Sequence, residues 1–110
     1  MTSAGQPKAD WQFIETAEDA GVSWSYDAGN IMFNSFEEMA GGVASGDYDN
    51  DGDVDLYVVT GDSSPNRLLR NNGEGQFIDV GGPAGVGLEG HRSTGPAFAD
   101  IDGDGWLDLV

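Results

Sequence analysis

Two short acidic stretches hold the residues best suited to chemistry, and both follow one spacing. The first is GDYDNDGDVDL, Gly46 to Leu56, and the second is ADIDGDGWLDL, Ala99 to Leu109. Carboxylates this close repel one another, since two unit charges ~5 Å apart cost roughly 3 kcal/mol at an effective dielectric constant of about 20. A cation bound among them would relieve that repulsion, so the spacing points to metal binding.

Both stretches read D-x-D-x-D-G-x-x-D, which places oxygen ligands at positions one, three, five and nine. Glycine at position six permits the sharp turn that brings the later ligands back, and position seven offers its backbone carbonyl. The predicted ligands of the first loop are Asp47, Asp49, Asp51, Asp53 (through its carbonyl) and Asp55. Those of the second loop are Asp100, Asp102, Asp104, Trp106 (through its carbonyl) and Asp108.

Calcium is the predicted metal because it accepts about six to eight oxygen ligands in flexible geometry. Zinc would need His or Cys, and the chain has one histidine, His91, and no cysteine. An EF-hand loop begins in the same way, but it needs an acid at position twelve, which is Val58 here, and flanking helices. Two alternatives stay open. They are acidic surface loops that bind no particular ion and a catalytic two-metal site, which usually includes histidine.

Composition narrows the possible partners. The 110 residues include 20 acids and 4 basic residues, for a formal net charge of −16, which argues against binding nucleic acid or an anionic membrane. No apolar run approaches the length of a membrane span, and the first residues lack the apolar core of a signal peptide. We therefore expect no membrane insertion. Either a signal peptide has been removed or the protein stays inside the cell.

Short β-strands are predicted beside both loops, and the sequence repeats itself. The stretch FIETAEDAGV at Phe13 recurs as FIDVGGPAGV at Phe77, 64 residues later, and the acidic loop recurs 53 residues after Asp47. Repeats of about this length with roughly four short strands are typical of β-propeller blades. The stretch that begins at Trp11 is predicted to start as a strand and end in a turn at Gly21, and a helical turn is predicted at Ser35–Met39.

The predicted fold is all-β, built from four-stranded antiparallel propeller blades. Fewer than two blades are present, so we expect part of a larger propeller, completed by other blades or by self-association. Residues 1–10 are predicted to be disordered, and residues 11–110 to form the repeat region. The first blade should span about 41–80 and an incomplete second blade about 95–110.

The loops and their strands resemble the FG-GAP family, also called VCBS-type repeats, which builds calcium-binding propellers such as the head of integrin α subunits. VASGDYDNDGDVDLYVV and FADIDGDGWLDLV are similar to its strand–loop–strand core, and NRLLRNNGEGQFIDV followed by AGV is similar to cartilage-acidic-protein-like (ASPIC and UnbV) proteins. The resemblance implies that the two sets of aspartates each bind Ca²⁺ in a hairpin between the first and second strands of a blade. It also implies an extracellular or periplasmic protein.

The leading functional hypothesis is a calcium-stabilised module of an extracellular propeller that binds a protein or carbohydrate ligand, for example in adhesion, without catalysis. One alternative is the propeller portion of a secreted hydrolase or lyase whose catalytic residues lie outside this chain. A structural spacer without a partner is the third possibility.

Overall fold

Short strands flank both acidic loops in the computed structural model, which describes residues 10–24, 41–61, 64–90 and 93–110. Most of the predicted disordered segment 1–10, the predicted turn at Ser35–Met39 and His91 lie outside these residues.

The first sheet has four strands in the order of the chain, and each pair of neighbours is antiparallel. The β-branched and aromatic residues of the second strand favour this structure, since they pack well on a pleated surface. The strands are β1 (Gly42–Gly46), β2 (Asp55–Val59), β3 (Arg67–Asn71) and β4 (Phe77–Asp79). This sheet has the strand number and direction predicted for a propeller blade.

A second sheet begins the same arrangement again with β5 (Phe98–Ala99) and β6 (Asp108–Leu109), which are antiparallel. Its first strand lies close to β1, because a Cβ added at Gly46 would be 2.8 Å from a methyl carbon of Leu107 and 3.2 Å from the Cβ of Phe98. The described residues therefore form sheets and little helix, and the predicted all-β class is confirmed.

A hydrophobic cluster lies on the face of the first sheet that the second sheet covers, while Val58 and Leu69 are buried on the opposite face. Ala44, Tyr57 and Leu68 are aligned across β1, β2 and β3, and all three are buried. Phe98 and Leu109 of the second sheet pack against them. Apolar contact between the two sheets thus fixes the position of one acidic loop relative to the other.

Two single-turn helices occupy equivalent places in the repeat. Helix α1 (Ala17–Ala20) ends at Gly21, and helix α2 (Gly81–Ala84) ends at Gly85. Both glycines adopt the left-handed conformation, with φ of 77° and 73°. That conformation closes a helix and suits glycine, which has no Cβ to clash.

The strand predicted to begin at Trp11 does not form, since residues 11–16 belong to no strand or helix. A strand needs a hydrogen-bonding neighbour, and none of the described strands pairs with this segment. Among the described residues, no helix has the length and apolar character needed to cross a bilayer.

Candidate metal centres

Each acidic loop connects the first strand of its sheet to the second. The first loop runs from the end of β1 into β2, and the second runs from the end of β5 into β6. Both loops are therefore hairpin connections whose ends are held by antiparallel pairs, Gly46 with Asp55 and Ala99 with Asp108. Those pairs bring the last aspartate of each loop back to the first.

The carboxylate at position one organises each loop through backbone donors. Asp47 accepts hydrogen bonds from the N–H of Asp51 at 3.1 Å and of Gly52 at 2.9 Å. Asp100 accepts the equivalent bonds from Asp104 at 3.1 Å and Gly105 at 2.9 Å. The glycine has a φ of 93° in the first loop and 90° in the second, which few residues other than glycine adopt.

The carboxylate at position nine closes each loop. Oδ2 of Asp55 accepts the N–H of Tyr48 at 3.2 Å, and Oδ2 of Asp108 accepts the N–H of Ile101 at 3.0 Å. Asp55 is 0% exposed, and its Oδ1 also accepts the N–H of Asn71 at 2.8 Å, which ties the loop to β3. The first loop is therefore held from a third strand.

The structure gathers two carboxylate clusters. Within each, every residue offers one oxygen, and these oxygens lie within 4.8 Å of one another. The first cluster contains Asp47, Asp49, Asp51 and Asp55, and the second contains Asp100, Asp102 and Asp108.

Three predicted ligands are not in these clusters. Asp53 and Trp106 were predicted to contribute only backbone carbonyls, and the side chain of Asp53 lies beside the turn at Gly73, where an added Cβ would be 2.8 Å from its Oδ2. Oδ1 of Asp104 accepts the N–H of Trp106 at 2.9 Å. The equivalent bond in the first loop runs from the N–H of Asp53 to Asp51 at 2.9 Å.

Asp49 provides the test of whether a cation fits the first cluster. Its Oδ1 is buried and has no hydrogen-bond partner. A buried carboxylate oxygen without a donor is costly, because it has lost its hydration and gained nothing in exchange. A hard cation among these oxygens would satisfy it, and a set made only of oxygens suits Ca²⁺.

The pKa values in and beside the first cluster also indicate that negative charge is poorly stabilised there. Burial, followed by the negative charge of Asp55, raises the pKa of Asp49 above its usual 3.8. Burial also raises the pKa of Asp55, although the N–H groups of Asn71 and Tyr48 partly oppose that shift. The pKa of the Tyr48 hydroxyl is raised as well, first by burial and then by the charge of Asp49. Without a counter-ion, the carboxyl groups of Asp49 and Asp55 therefore resist ionisation.

A side chain that the sequence reading did not single out connects the two loops. Asn50 Nδ2 donates a hydrogen bond to the carbonyl oxygen of Gly105 at 3.2 Å. Asn50 has a φ of 58°, in the left-handed region where asparagine is one of the few tolerated residues. An asparagine within the acidic loop signals a left-handed turn, but the sequence does not predict that its side chain bonds to a residue 55 positions away.

A second missed feature is a polar network around Tyr57. Its hydroxyl donates to the carbonyl oxygen of Val86 at 2.8 Å and accepts from Asn66 Nδ2 at 3.0 Å. Asn66 Nδ2 also donates to Ser93 Oγ at 3.1 Å, and Asn66 Oδ1 accepts the N–H of Thr60 at 3.3 Å. The network joins the β2–β3 connection to the residues after α2, so its role is to position the elements that carry the loops.

Comparison with known proteins adds two findings. A profile of the FG-GAP-like repeat family matches residues 47–110, more than half of the chain. The chain is 33% identical over 69 residues to Cartilage acidic protein 1 of Xenopus tropicalis, covering 63% of this chain and 10% of that protein. It is 32% identical over 96 residues to the mouse protein of the same name, covering 87% and 13%. The human protein is 39% identical over 49 residues, covering 44% and 7%. The chain thus spans about a tenth of the length of these curated relatives.

Proposed function

This chain belongs to the FG-GAP-like repeat family, and from that premise we propose that each of its two acidic loops binds one Ca²⁺. The observation that carries the proposal is the buried, unpartnered Oδ1 of Asp49 within a cluster of four carboxylates. The repetition of the loop hydrogen bonds at Asp100 and Asp108 supports a second site of the same kind. We propose that the bound ions act structurally and neutralise carboxylates that otherwise repel one another.

The residues that would hold the ions are the carboxylates of the two clusters, with the carbonyls of Asp53 and Trp106 as further ligands. Calcium sites of extracellular modules have Kd values of roughly 10⁻⁴ to 10⁻³ M. At about 10 mM calcium, binding with those constants stabilises the folded state by about 1.4–2.7 kcal/mol per site. That gain is large enough to decide whether a small propeller-type module stays folded.

We propose that the module is not an enzyme. Both clusters consist of aspartates alone. Several of their carboxylate oxygens accept hydrogen bonds from backbone N–H groups of the same loop. Such an arrangement holds an ion in a closed loop, whereas catalysis needs groups with divided roles as acid, base or nucleophile.

We propose an extracellular location and a protein or carbohydrate ligand, as in adhesion. The relatives carry the word cartilage in their names, which supports a place outside the cell. Millimolar calcium there would fill sites of the affinity given above. The formal charge of −16 makes nucleic acid an unsuitable ligand.

Isothermal titration with calcium tests the proposal directly. We expect two bound ions per chain, and terbium emission sensitised by Trp106, which lies within the second loop. The variant Asp102→Asn should reduce the terbium emission, and Asp49→Asn should remove the other binding event. Titrations that show no heat, no terbium emission and no change in melting temperature would overturn the proposal.

A further inference from the structure

The segment Phe13–Val22, called the first outer unit here, has the same local structure as Phe77–Val86, the second outer unit. Four hydrogen bonds recur 64 residues apart. The N–H groups of Ala17 and Gly81 donate to the acids two residues earlier, Glu15 at 2.8 Å and Asp79 at 3.0 Å. In the first unit, the N–H groups of Ala20, Gly21 and Val22 donate to the carbonyl oxygens of Thr16, Glu18 and Ala17 in turn. In the second unit, those of Ala84, Gly85 and Val86 donate to Val80, Gly82 and Gly81, and all six bonds are between 2.9 and 3.2 Å long.

The two outer units differ in what lies beside them. In the second unit, Phe77–Asp79 is β4, and it pairs with β3 in the register Phe77 to Asn71 and Asp79 to Leu69. In the first unit, the equivalent residues Phe13–Glu15 pair with no described strand, and Phe13 is 92% exposed and Ile14 71% exposed. Ile78, the counterpart of Ile14, stays 54% exposed beside β3, so the clearer difference is at Phe13, whose counterpart Phe77 is partly buried.

The two outer units also differ in the ion pairs that their acidic residues form. Asp79 forms an ion pair with Arg67 of β3, with 3.4 Å between Nη1 and Oδ2. Glu15 is its counterpart in the first outer unit, and among the described residues no arginine or lysine pairs with it. The partner of the first outer unit should therefore place a basic residue where β3 has Arg67.

We propose that Phe13–Glu15 is the fourth strand of a second blade and docks on the third strand of another FG-GAP-type repeat. That partner strand runs antiparallel to it, carries two consecutive leucine-like residues as Leu68 and Leu69 do, and presents a basic residue to Glu15. Strand addition of this kind satisfies the backbone groups of both edges, and it would bury Phe13 in part, as Phe77 is partly buried beside β3. It needs no bound cation, so it stands or falls apart from the calcium sites.

The test gives the first outer unit a third strand of known chemistry. A second copy of residues 41–76, which forms β1 to β3 and the following turn, is inserted between Gln12 and Phe13 of the full chain. Glutamine precedes phenylalanine at both Phe13 and Phe77, so the insertion reproduces the natural junction. Hydrogen exchange is then followed at the amides of Ile14 and Thr16, the counterparts of Ile78 and Val80. The N–H of Val80 donates to the carbonyl oxygen of Leu68 at 2.8 Å, and the alternation of an antiparallel ladder turns the N–H of Ile78 toward β3 as well.

We expect exchange at these two amides to slow about tenfold or more relative to the unmodified chain, approaching the rates of Ile78 and Val80. The matched control carries Leu68→Asp and Leu69→Asp in the inserted copy only, and it should return the two amides to their original rates. The proposal is overturned if they exchange equally fast with and without the insertion while β4 stays protected, whether or not the inserted strands are protected. Equal slowing in the control would overturn it as well.

Discussion

The variant Asp49→Asn should change sign in its effect on stability when calcium is added. The substitution keeps the size of the side chain and removes one charge from the first cluster. Because Oδ1 of Asp49 accepts no hydrogen bond, replacing this oxygen breaks no hydrogen bond in the absence of calcium. The carboxylate is half-buried among three others.

The size of the effect follows from two opposing terms. Two charges at 4.8 Å, the largest separation among the oxygens of the cluster, repel by about 3.5 kcal/mol at an effective dielectric constant of 20. Solvent and salt reduce this to roughly 1 kcal/mol for partly exposed groups. In chelator, Asp49→Asn should therefore raise the free energy of unfolding by up to about 1 kcal/mol.

In about 10 mM calcium, the parent protein should gain about 1.4–2.7 kcal/mol from each site. Asp49→Asn should keep the gain from the second site alone, so calcium should stabilise it by about half as much as the parent. The variant then becomes the less stable of the two.

Urea unfolding at fixed ionic strength, in chelator and in calcium, measures both terms. Glu74→Gln is the control, because it removes one charge from an exposed turn outside both clusters. The reasoning is refuted if Asp49→Asn and Glu74→Gln gain equally from calcium, or if Asp49→Asn loses the same stability in both solutions.

Three further predictions concern the supporting structure and pH. Tyr57→Phe removes a hydroxyl that donates one hydrogen bond and accepts another, so it should lower the free energy of unfolding by about 1–2 kcal/mol in urea, equally with and without calcium. Unchanged stability would contradict the network. Gly21→Ala should cost more than Gly85→Ala, although both glycines are left-handed, because an added Cβ would lie 2.6 Å from a carbonyl oxygen of β4 at Gly21 and meets nothing within 4 Å at Gly85. The expected losses are about 1 kcal/mol at Gly85 and at least about 2 at Gly21, and equal losses would count against the packing of α1 on β4. In chelator, stability should rise as pH falls toward 3.8, the usual pKa of aspartate, since the raised pKa values of Asp49 and Asp55 make the folded state bind protons more tightly than the unfolded state. In saturating calcium the trend should reverse, because protons then compete with the ion. Parallel trends in the two solutions would be the contrary result.

The features that the sequence predicts well are those set by neighbouring residues. The spacing of aspartates at alternate positions, with glycine at position six, specified both loops, and the aromatic and β-branched run Tyr57–Val59 specified the strand that follows the first. The family comparison confirms the resemblance read from those loops. Local chemistry was sufficient because the carboxylates and most of their backbone donors lie within nine residues, although the N–H of Asn71 reaches Asp55 from β3.

The features that the sequence does not predict depend on distant residues. The strand expected at Trp11 is absent because pairing needs a neighbour, and the β-type residues of Phe13–Ile14 cannot supply one. Helix α2 occupies Gly81–Ala84, whose GGPA sequence has poor helix propensity, because contact with β3 and the left-handed Gly85 stabilise the turn. The contact of Asn50 with Gly105 spans 55 residues and depends on how the two sheets pack.

That contact between Asn50 and Gly105 has an electrostatic consequence for the whole molecule. It holds two acidic centres side by side, so their negative potentials add on one side of the protein. Such a field raises the local concentration of cations and speeds their diffusional encounter, an effect that weakens as ionic strength increases. It also repels acidic macromolecules from that side, so any anionic ligand, such as a sulfated polysaccharide, would have to approach from elsewhere.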